Sequence, residues 1–266
     1  MVDRKNLYFY YKNDKGLKEK LIPLFQAAEK NGFSILDDPK NANIIVGVGG
    51  DGNFLQAVRK TGFRQDCLYV GITHGDEVGL YCDFQLNHFE KMMETFMHGE
   101  LEVRRFPIID VSVDKESHFN CLNELSIRSA ITKSIVIDVF IDDQHFETFR
   151  GDGLIVATPT GSSGYNKSTH GAVVDPKLKC FQVSELASLN NNRYRTLGSS
   201  FLLSESRKLT LKVVQDGNDY PIIGMDNEAY SIRHIQELNI RLSEKIIKTV
   251  KLKDNSFWDR MKRTFL

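Results

Sequence analysis

The fold of this chain is decided by one stretch, Ile44-Ile45-Val46-Gly47-Val48-Gly49-Gly50-Asp51-Gly52-Asn53-Phe54-Leu55. The β-branched run bounded by glycines predicts a buried strand, and Asn53 before the apolar-periodic run 54–58 predicts the start of a helix. The glycines therefore lie in a strand-to-helix turn. Glycine tolerates positive φ and lets a phosphate approach the backbone, while the N–H groups at the start of the helix attract anions. The stretch predicts a phosphate-binding turn.

Asp51 places a carboxylate at this predicted phosphate site. Its charge would repel phosphate unless it holds Mg²⁺ or takes a proton from a hydroxyl group, and both are roles in phosphoryl transfer. The alternative is a tight turn in which Asp51 only caps the helix. The stretch is not a P-loop, since no Gly-Lys-Ser/Thr follows, and it lacks the G-x-G-x-x-G pattern of dinucleotide-binding folds.

Hydrophobic patterning divides the chain into an α/β amino-terminal domain (1–100), a mainly antiparallel β domain (101–250) and a tail (251–266). Alternating strands and helices in the first domain predict a parallel sheet. We expect strands at 7–11, 44–48 and 68–72 and helices at 18–30, 54–60 and 87–98. In the second domain we expect strands at 108–113, 135–141, 154–158, 208–214 and 238–242, a turn at 216–218, and a helix between Lys179 and Ser188. The tail spaces Trp258, Met261 and Phe265 on one helical face that packs on the body.

Composition excludes several classes of protein. The 266 residues contain 35 Lys and Arg and 35 Asp and Glu, so the net charge of zero argues against nucleic-acid binding. The four cysteines form no C-x-x-C pair, which argues against a zinc or redox motif. No apolar run approaches the length of a membrane span, and the amino terminus lacks a signal pattern. We expect a cytoplasmic protein.

A second informative segment runs from Phe149 to Ser168 and is dense in glycines and hydrogen-bonding side chains. The hydroxyl groups of Thr160, Ser162 and Ser163 and the amide of Asn166 suit an adenine or a ribose, Tyr165 can stack, and the carboxylate of Asp152 can accept two ribose hydroxyl groups. The alternative is an ordinary exposed loop. A third segment is the polar pair Asn123-Glu124. It follows an apolar residue, and such a pair usually marks the end of a strand.

Together these three segments resemble the NAD kinase family. Gly49-Gly50-Asp51-Gly52 is similar to the family's glycine-rich turn, and Asn123-Glu124 to its Asn-Glu pair. Asp152-Gly153 with Thr158-Pro159-Thr160-Gly161-Ser162 resembles its Asp-Gly and Thr-Pro-(Thr/Ser)-Gly-Ser loop. The likeness covers nearly the whole chain and is closest to the short form of bacilli. Phosphofructokinases, diacylglycerol kinases and sphingosine kinases carry a similar turn, whereas the Thr-Pro loop separates the family from them.

The resemblance implies an α/β domain, a β domain and an active site in the cleft between them. It implies transfer of the γ-phosphoryl group of ATP, or of polyphosphate, to the 2′-hydroxyl of the adenosine ribose of NAD, with a divalent cation such as Mg²⁺ and assembly as a homodimer or homotetramer. Asp51 would be the general base or the Mg²⁺ partner, and no residue is assigned as a metal ligand. The implied nucleotide-binding residues are Asp51, Gly52, Asn123, Glu124, Arg150, Asp152, Thr160, Ser163, Gly164, Tyr165, Asn166, Lys167, Ser168 and Ala187, the last in a neighbouring subunit's site.

The chain departs from the family pattern at a few positions. Asn53 replaces a usual Thr and can still cap the helix, and Ser163-Gly164 replaces Thr-Ala. The segment Thr73–Tyr81, with Asp76 and Glu77, is rearranged. Two alternatives remain open: a catalytically weak paralogue that binds NAD or NADP as a sensor, and a lipid or sugar kinase that shares only the glycine turn.

Overall fold

The computed structural model describes residues 5–12, 15–75, 79–214, 221–231 and 235–266. Asp76, Glu77 and the predicted turn 216–218 lie outside them. The helices are α1 Lys15–Lys30, α2 Asp51–Lys60, α3 Phe89–His98, α4 Tyr165–Ser168 and α5 Phe257–Phe265. The strands are β1 Asn6–Tyr10, β2 Ser34–Ile35, β3 Ile44–Val48, β4 Leu68–Thr73, β5 Cys82–Gln85, β6 Leu101–Val113, β7 Ser117–Cys121, β8 Glu124–Arg128, β9 Ile135–Ile141, β10 Gln144–Gly151, β11 Gly153–Ala157, β12 Cys180–Leu186, β13 Phe201–Ser204, β14 Lys208–Val213, β15 Ile222–Met225, β16 Glu228–Ser231 and β17 Glu237–Leu252.

The chain forms two compact units. Unit 1 comprises Met1–Phe106 and Ile246–Leu266, and unit 2 comprises Pro107–Lys245. The chain passes from one unit to the other inside two long strands, β6 and β17. The sequence prediction put the limits at residues 100/101 and 250/251, because a strand that continues through a boundary carries no turn signal there.

Unit 1 contains the predicted parallel sheet. Strands β2, β1, β3 and β4 lie side by side in that order, and β5 and the end of β17 both pair with β4, all in parallel. Its core joins Leu7 and Phe9 of β1 to Leu21 and Leu24 of α1. β3 is buried along most of its length, as expected for a strand of a parallel sheet covered on both faces. The α/β prediction is confirmed.

Unit 2 is built from two β-sheets that share one core. One sheet has the order β10-β9-β14-β17 and continues from β17 to β6 and β7, and the other has the order β13-β12-β11-β8-β15-β16. Every neighbouring pair of the second sheet is antiparallel. Val111 and Leu211 from the first sheet pack in the same cluster as Leu154 and Phe181 from the second. The prediction of a mainly antiparallel β domain is confirmed.

The helix predicted between Lys179 and Ser188 is wrong, because this segment forms strand β12 between β11 and β13. Phe181 and Val183 point into the core. Gln182 and Ser184 on the other face are also buried, and they are hydrogen-bonded to Ala172 and Asn166, so the segment between β11 and β12 covers the polar face of this strand.

The tail forms the predicted helix, α5, but the predicted buried face is only partly right. Phe257 and Met261 are buried, together with Arg260, whereas Trp258 and Phe265 are 52% and 42% exposed. Ser256 caps the helix by accepting a hydrogen bond from the Asp259 backbone N–H at 3.1 Å. The face that packs on unit 1 therefore includes a buried charge.

Candidate active site

The glycine-rich turn connects β3 to α2 as predicted. Gly49 and Gly50 have φ values of +120° and +95°, which residues with a side chain rarely adopt. Their backbone N–H groups donate to the carbonyl of Ile72 at 2.8 and 3.3 Å. The first intrahelical bond of α2 runs from Phe54 N to Gly50 O, so the N–H groups of residues 51–53 lie ahead of it in the first turn.

Asn53 does not cap the helix, and that prediction is wrong. The helix begins at Asp51 with Gly50 at its N-cap. Asn53 is buried, and its side-chain amide donates to Val48 O at 2.7 Å. A Cβ atom on Gly49 would lie 2.1 Å from the Asn53 Nδ2 atom, so Asn53 fastens the turn to the end of β3 through a contact that requires glycine.

The Asp51 carboxylate is held by backbone groups outside its own helix. Its Oδ2 accepts from Leu80 N at 2.5 Å, and its Oδ1 accepts from Tyr81 N at 2.9 Å. A Cβ atom on Gly79 would lie 2.2 Å from Asp51 Oδ1, so the backbone approaches the carboxylate closely. These bonds fix the carboxylate at the first turn of α2.

In unit 2, the Asn123-Glu124 pair lies at the start of β8 and is organised by Asp226. The Asp226 carboxylate accepts from Leu122 N, Asn123 N and Glu124 N at 3.1, 2.7 and 3.3 Å. Sequence reasoning missed Asp226, although Asp226-Asn227 between β15 and β16 has the signature of a two-residue hairpin turn.

Glu124 is a buried carboxyl group whose Oε2 atom has no hydrogen-bond partner among the described residues. Burial raises its pKa to about 8, and the nearby charge of Asp226 adds to the increase. Oε2 lies 3.2 Å from the position that a Cβ atom would take on Gly164. An unpaired polar atom at this depth is unusual in a folded protein.

The loop that follows β11 folds against this pair. Thr158 N donates to Asn123 O at 2.8 Å, and the hydroxyl groups of Thr158 and Thr160 donate to Leu122 O at 2.6 and 3.2 Å. A Cβ atom on Gly161 would lie 2.1 Å from Asn123 O. The structure thus brings the Asn-Glu pair and the Thr-Pro-Thr-Gly-Ser loop together.

Several side chains that the sequence suggested as ligand contacts bond within the protein. Thr160, Ser162 and Asn166 are buried. Ser162 donates to Pro159 O at 2.6 Å, and Asn166 accepts from Ser184 at 2.6 Å and donates to Ser162 O at 3.2 Å. Ser163 is half-buried and Lys167 and Ser168 are exposed.

Asp152, Arg150 and Ala187 lie at the opposite end of β11 from Thr158. At about 3.3 Å per residue, the five residues of β11 separate these ends by about 17 Å. Asp152 and Ala187 are exposed, and the Arg150 guanidinium lies 4.6 Å from the ring centroid of Tyr194. Tyr165 of α4 accepts at 3.2 Å from Arg128, which is paired with Gly153 at this same end.

Within the described ranges, no group of three or more His, Cys, Asp or Glu side chains could hold a metal ion. None of the helices in those ranges is long and apolar enough to cross a membrane.

A carboxylate fixed after a glycine-rich strand-to-helix turn, and a Thr-Pro-Thr-Gly-Ser loop that folds against an Asn-Glu pair, are typical of a nucleotide phosphotransferase. The ATP-NAD kinase C-terminal domain profile matches residues 122–252. NAD kinase 2 of Bacillus cereus is 61% identical over 267 residues, covering 100% of both chains, and NAD kinase 2 of Bacillus subtilis is 62% identical, covering 99% of this chain and 98% of that protein. The chain belongs to the NAD kinase family.

Two solved structures agree with this assignment. An NAD kinase from Archaeoglobus fulgidus in complex with ATP has a TM-score of 0.74 and 28% identity, covering 98% of this chain and 97% of that chain. Yeast NADH kinase complexed with NADH has a TM-score of 0.83, covering 98% of this chain and 87% of that chain; at 16% identity it supports the fold alone. The protein is therefore an enzyme that phosphorylates NAD, and the sensor and lipid or sugar kinase alternatives are set aside.

Proposed function

We propose that the enzyme transfers the γ-phosphoryl group of ATP to the 2′-hydroxyl of the adenosine ribose of NAD, with Asp51 as general base. A bond forms between the 2′-oxygen and the γ-phosphorus, and the bond from that phosphorus to the bridging oxygen breaks. ADP leaves with the electron pair, and the hydroxyl proton passes to the Asp51 carboxylate. The observation that carries this proposal is the Asp51 carboxylate, held at the first turn of α2 by Leu80 N and Tyr81 N.

For the phosphate groups, we propose that the N–H groups of the first turn of α2, including that of Gly52, bind the transferring phosphoryl group. The amides of Gly49 and Gly50 are bonded to Ile72 O, and the anion would approach the positive end of the helix dipole at residues 51–53. ATP as donor is supported by the ATP complex of the Archaeoglobus enzyme. In a coupled assay that measures NADP, polyphosphate in place of ATP should give much less NADP.

Magnesium enters this proposal as the counter-ion of ATP. Because the described residues offer no cluster that could hold a metal by themselves, no step is assigned to a protein-held ion. Magnesium bound to the triphosphate would neutralise charge during the transfer.

We propose that NAD is bound by Asn123, Glu124, Ser163, Tyr165 and Asp152. With a pKa of about 8, Glu124 is largely protonated at pH 7, so its carboxyl group can donate one hydrogen bond and accept another. The polar groups at the two ends of β11 suit an extended ligand such as a dinucleotide. Thr160 and Asn166, which bond internally, hold the loop in shape. Arg150, Gly164, Lys167 and Ser168 line the same site, and Ala187 reaches the site of a neighbouring subunit.

The test is a coupled assay of the purified enzyme with NAD, ATP and Mg²⁺, read out as NADP. Asp51→Asn should lose roughly 10²–10⁴-fold in turnover if Asp51 is the base. Asp66→Asn is the matched control, because the Asp66 side chain is 72% exposed, and its turnover should be unchanged. Near-normal turnover in Asp51→Asn would contradict the assigned role.

In Asp51→Asn, the side-chain NH2 group faces either Leu80 N or Tyr81 N. Because both are donors, the variant also loses one hydrogen bond. NAD affinity and the melting temperature of this variant must therefore be measured beside its turnover. We expect NAD affinity to be retained, since the groups proposed to bind NAD lie in unit 2.

Cytoplasmic location remains a prediction from the sequence pattern, and assembly as a homodimer or homotetramer remains a prediction from the family resemblance. Size-exclusion chromatography with light scattering measures the molar mass of the assembly directly. A monomer at micromolar concentration would contradict it.

A further inference from the structure

A buried cluster of charged side chains contacts residues 79–81, the segment whose backbone N–H groups hold Asp51. The side chains of Lys251 in β17, Asp83 in β5 and Arg260 in α5 are 0%, 0% and 2% exposed. Lys251 Nζ lies 2.8 Å from Asp83 Oδ1, and Arg260 Nη2 bonds to the same oxygen. Burying charges is costly, and an ion pair alone offsets that cost poorly. One carboxylate cannot balance two buried cations, so we expect the cations to have further polar partners.

Arg260 has such a partner in a backbone carbonyl. Its Nη1 donates to Gly79 O. The carbonyl of Gly79 and the N–H of Leu80 belong to one peptide group, and that N–H donates to Asp51 Oδ2 at 2.5 Å. One peptide group thus connects the guanidinium to the carboxylate.

Lys251 repeats this arrangement one residue along the chain. Its Nζ donates to Leu80 O at 2.7 Å. That carbonyl shares a peptide group with the N–H of Tyr81, which donates to Asp51 Oδ1 at 2.9 Å. Each oxygen of Asp51 is therefore reached by a different cation through a different peptide group.

We infer that Lys251 and Arg260 are positioning residues that fix and polarise the two peptide N–H donors of Asp51. The peptide group is delocalised, so a cation at its oxygen makes its N–H a stronger donor, and hydrogen bonds in a chain reinforce one another. This inference rests on the proposed role of Asp51 as general base. Neither cation touches the substrate in this scheme.

The charges around the cluster agree with this role. Asp51 and Asp83 balance Lys251 and Arg260, so the four groups are neutral together. Burial lowers the pKa of Lys251 and that of Arg260 from their usual values, and the charge of Asp51 opposes both decreases. Arg104 opposes the charged form of Lys251, and Arg263 opposes that of Arg260.

The first test compares Arg260→Met with Arg263→Met, an exposed arginine of the same helix, in the full-length enzyme. Arg260→Met should lower kcat by about tenfold to a hundredfold, the equivalent of one hydrogen bond to a charged group, with KM for NAD within about twofold. Arg260→Lys keeps a cation and should recover part of the loss. Unchanged kcat, or a KM for NAD that rises as kcat falls, would overturn the inference.

The second test reads the two peptide groups separately by amide proton NMR. Arg260→Met should move the Leu80 amide proton upfield more than that of Tyr81, and Lys251→Met should do the reverse. Lys253→Met, an exposed lysine that directly follows the end of β17, should move neither. Equal shifts of both amides in the two variants would indicate a merely structural cluster and overturn the inference.

Two features keep these tests decisive. If Arg260→Met does not fold, the charge-balanced pair Asp83→Asn with Arg260→Met removes one negative charge together with the guanidinium and carries the same predictions. An active Asp51→Asn enzyme would contradict the proposed function, whereas the selective amide shifts test the peptide connections independently of turnover.

Discussion

At the scale of single residues, Glu124 combines burial, an unpaired oxygen and a neighbouring carboxylate, Asp226. Its pKa of about 8 lies above the ordinary value for glutamate. The folded protein therefore holds this proton more tightly than the unfolded chain does. The stability that this provides is complete below about pH 4.5 and is lost as the pH rises through 8.

We predict that Glu124→Gln changes the pH dependence of stability. Glutamine resembles the protonated acid and does not titrate, so the free energy of unfolding of the variant relative to wild type should rise by on the order of 2–4 kcal/mol from pH 5 to pH 8.5. Urea unfolding without nucleotide measures this difference. Glu116→Gln, an exposed glutamate of unit 2, should show no such trend. A constant difference for Glu124→Gln would mean that Glu124 is ionised throughout this range.

Gly164 is a second informative residue, because the family usually has alanine there. Its φ of −87° suits alanine, which by itself predicts a gain of about 0.4–1 kcal/mol. A Cβ atom, however, would lie 3.2 Å from Glu124 Oε2 and 3.3 Å from Gly161 O.

We predict that these contacts outweigh the gain, so Gly164→Ala should destabilise the protein by about 1 kcal/mol and weaken NAD binding. Thermal melts with and without NAD check both effects. Stabilisation with unchanged affinity would instead show that the Glu124 side chain moves aside at no cost.

At the scale of elements, the sequence predicted strands best where apolar runs are bounded by turns. Ile44–Val48 and Ile135–Ile141 match their predicted limits. The prediction of a helix at 179–188 was wrong because the segment between β11 and β12 covers Gln182 and Ser184, and this long-range contact has no signature in the local sequence. The contacts of Asp51 were unpredictable for a related reason: they come from backbone N–H groups, which every residue except proline possesses, about 30 residues along the chain.

For α5, we predict that Phe257→Ala costs about 2–4 kcal/mol and Trp258→Ala less than about 1 kcal/mol. Phe257 is buried, whereas Trp258 is 52% exposed although its ring contacts that of Phe257. Urea unfolding of the two variants gives both values. A larger loss of stability for Trp258→Ala than for Phe257→Ala would contradict this prediction and support the buried face that the sequence spacing suggested.

At the scale of the whole molecule, unit 1 is assembled from both ends of the chain. The end of β17 pairs with β4, and α5 supplies Phe257, Arg260 and Met261 to the interior of that unit. A contiguous fragment of the first hundred residues therefore lacks part of its own core.

We predict that a chain ending at Asn255 keeps unit 2 folded and loses NAD kinase activity. Without α5, Asp83 keeps Lys251 but loses Arg260, and the bond from Arg260 to Gly79 O disappears. Hydrogen exchange should show faster exchange in β4 and β5 and unchanged protection in β8 and β11. Full activity of the shortened chain would contradict this dependence.

The placement of residues 246–266 has a consequence for biosynthesis. Domains generally fold during translation in the order in which they leave the ribosome, amino-terminal first. Here the order is inverted, because unit 2 is contiguous and emerges complete while unit 1 still waits for its last strand and helix. Lys251 and Arg260 are synthesised after all of unit 2, so a polypeptide that terminates before them would not fix the carboxylate of Asp51, and catalytic competence would require residues 246–266.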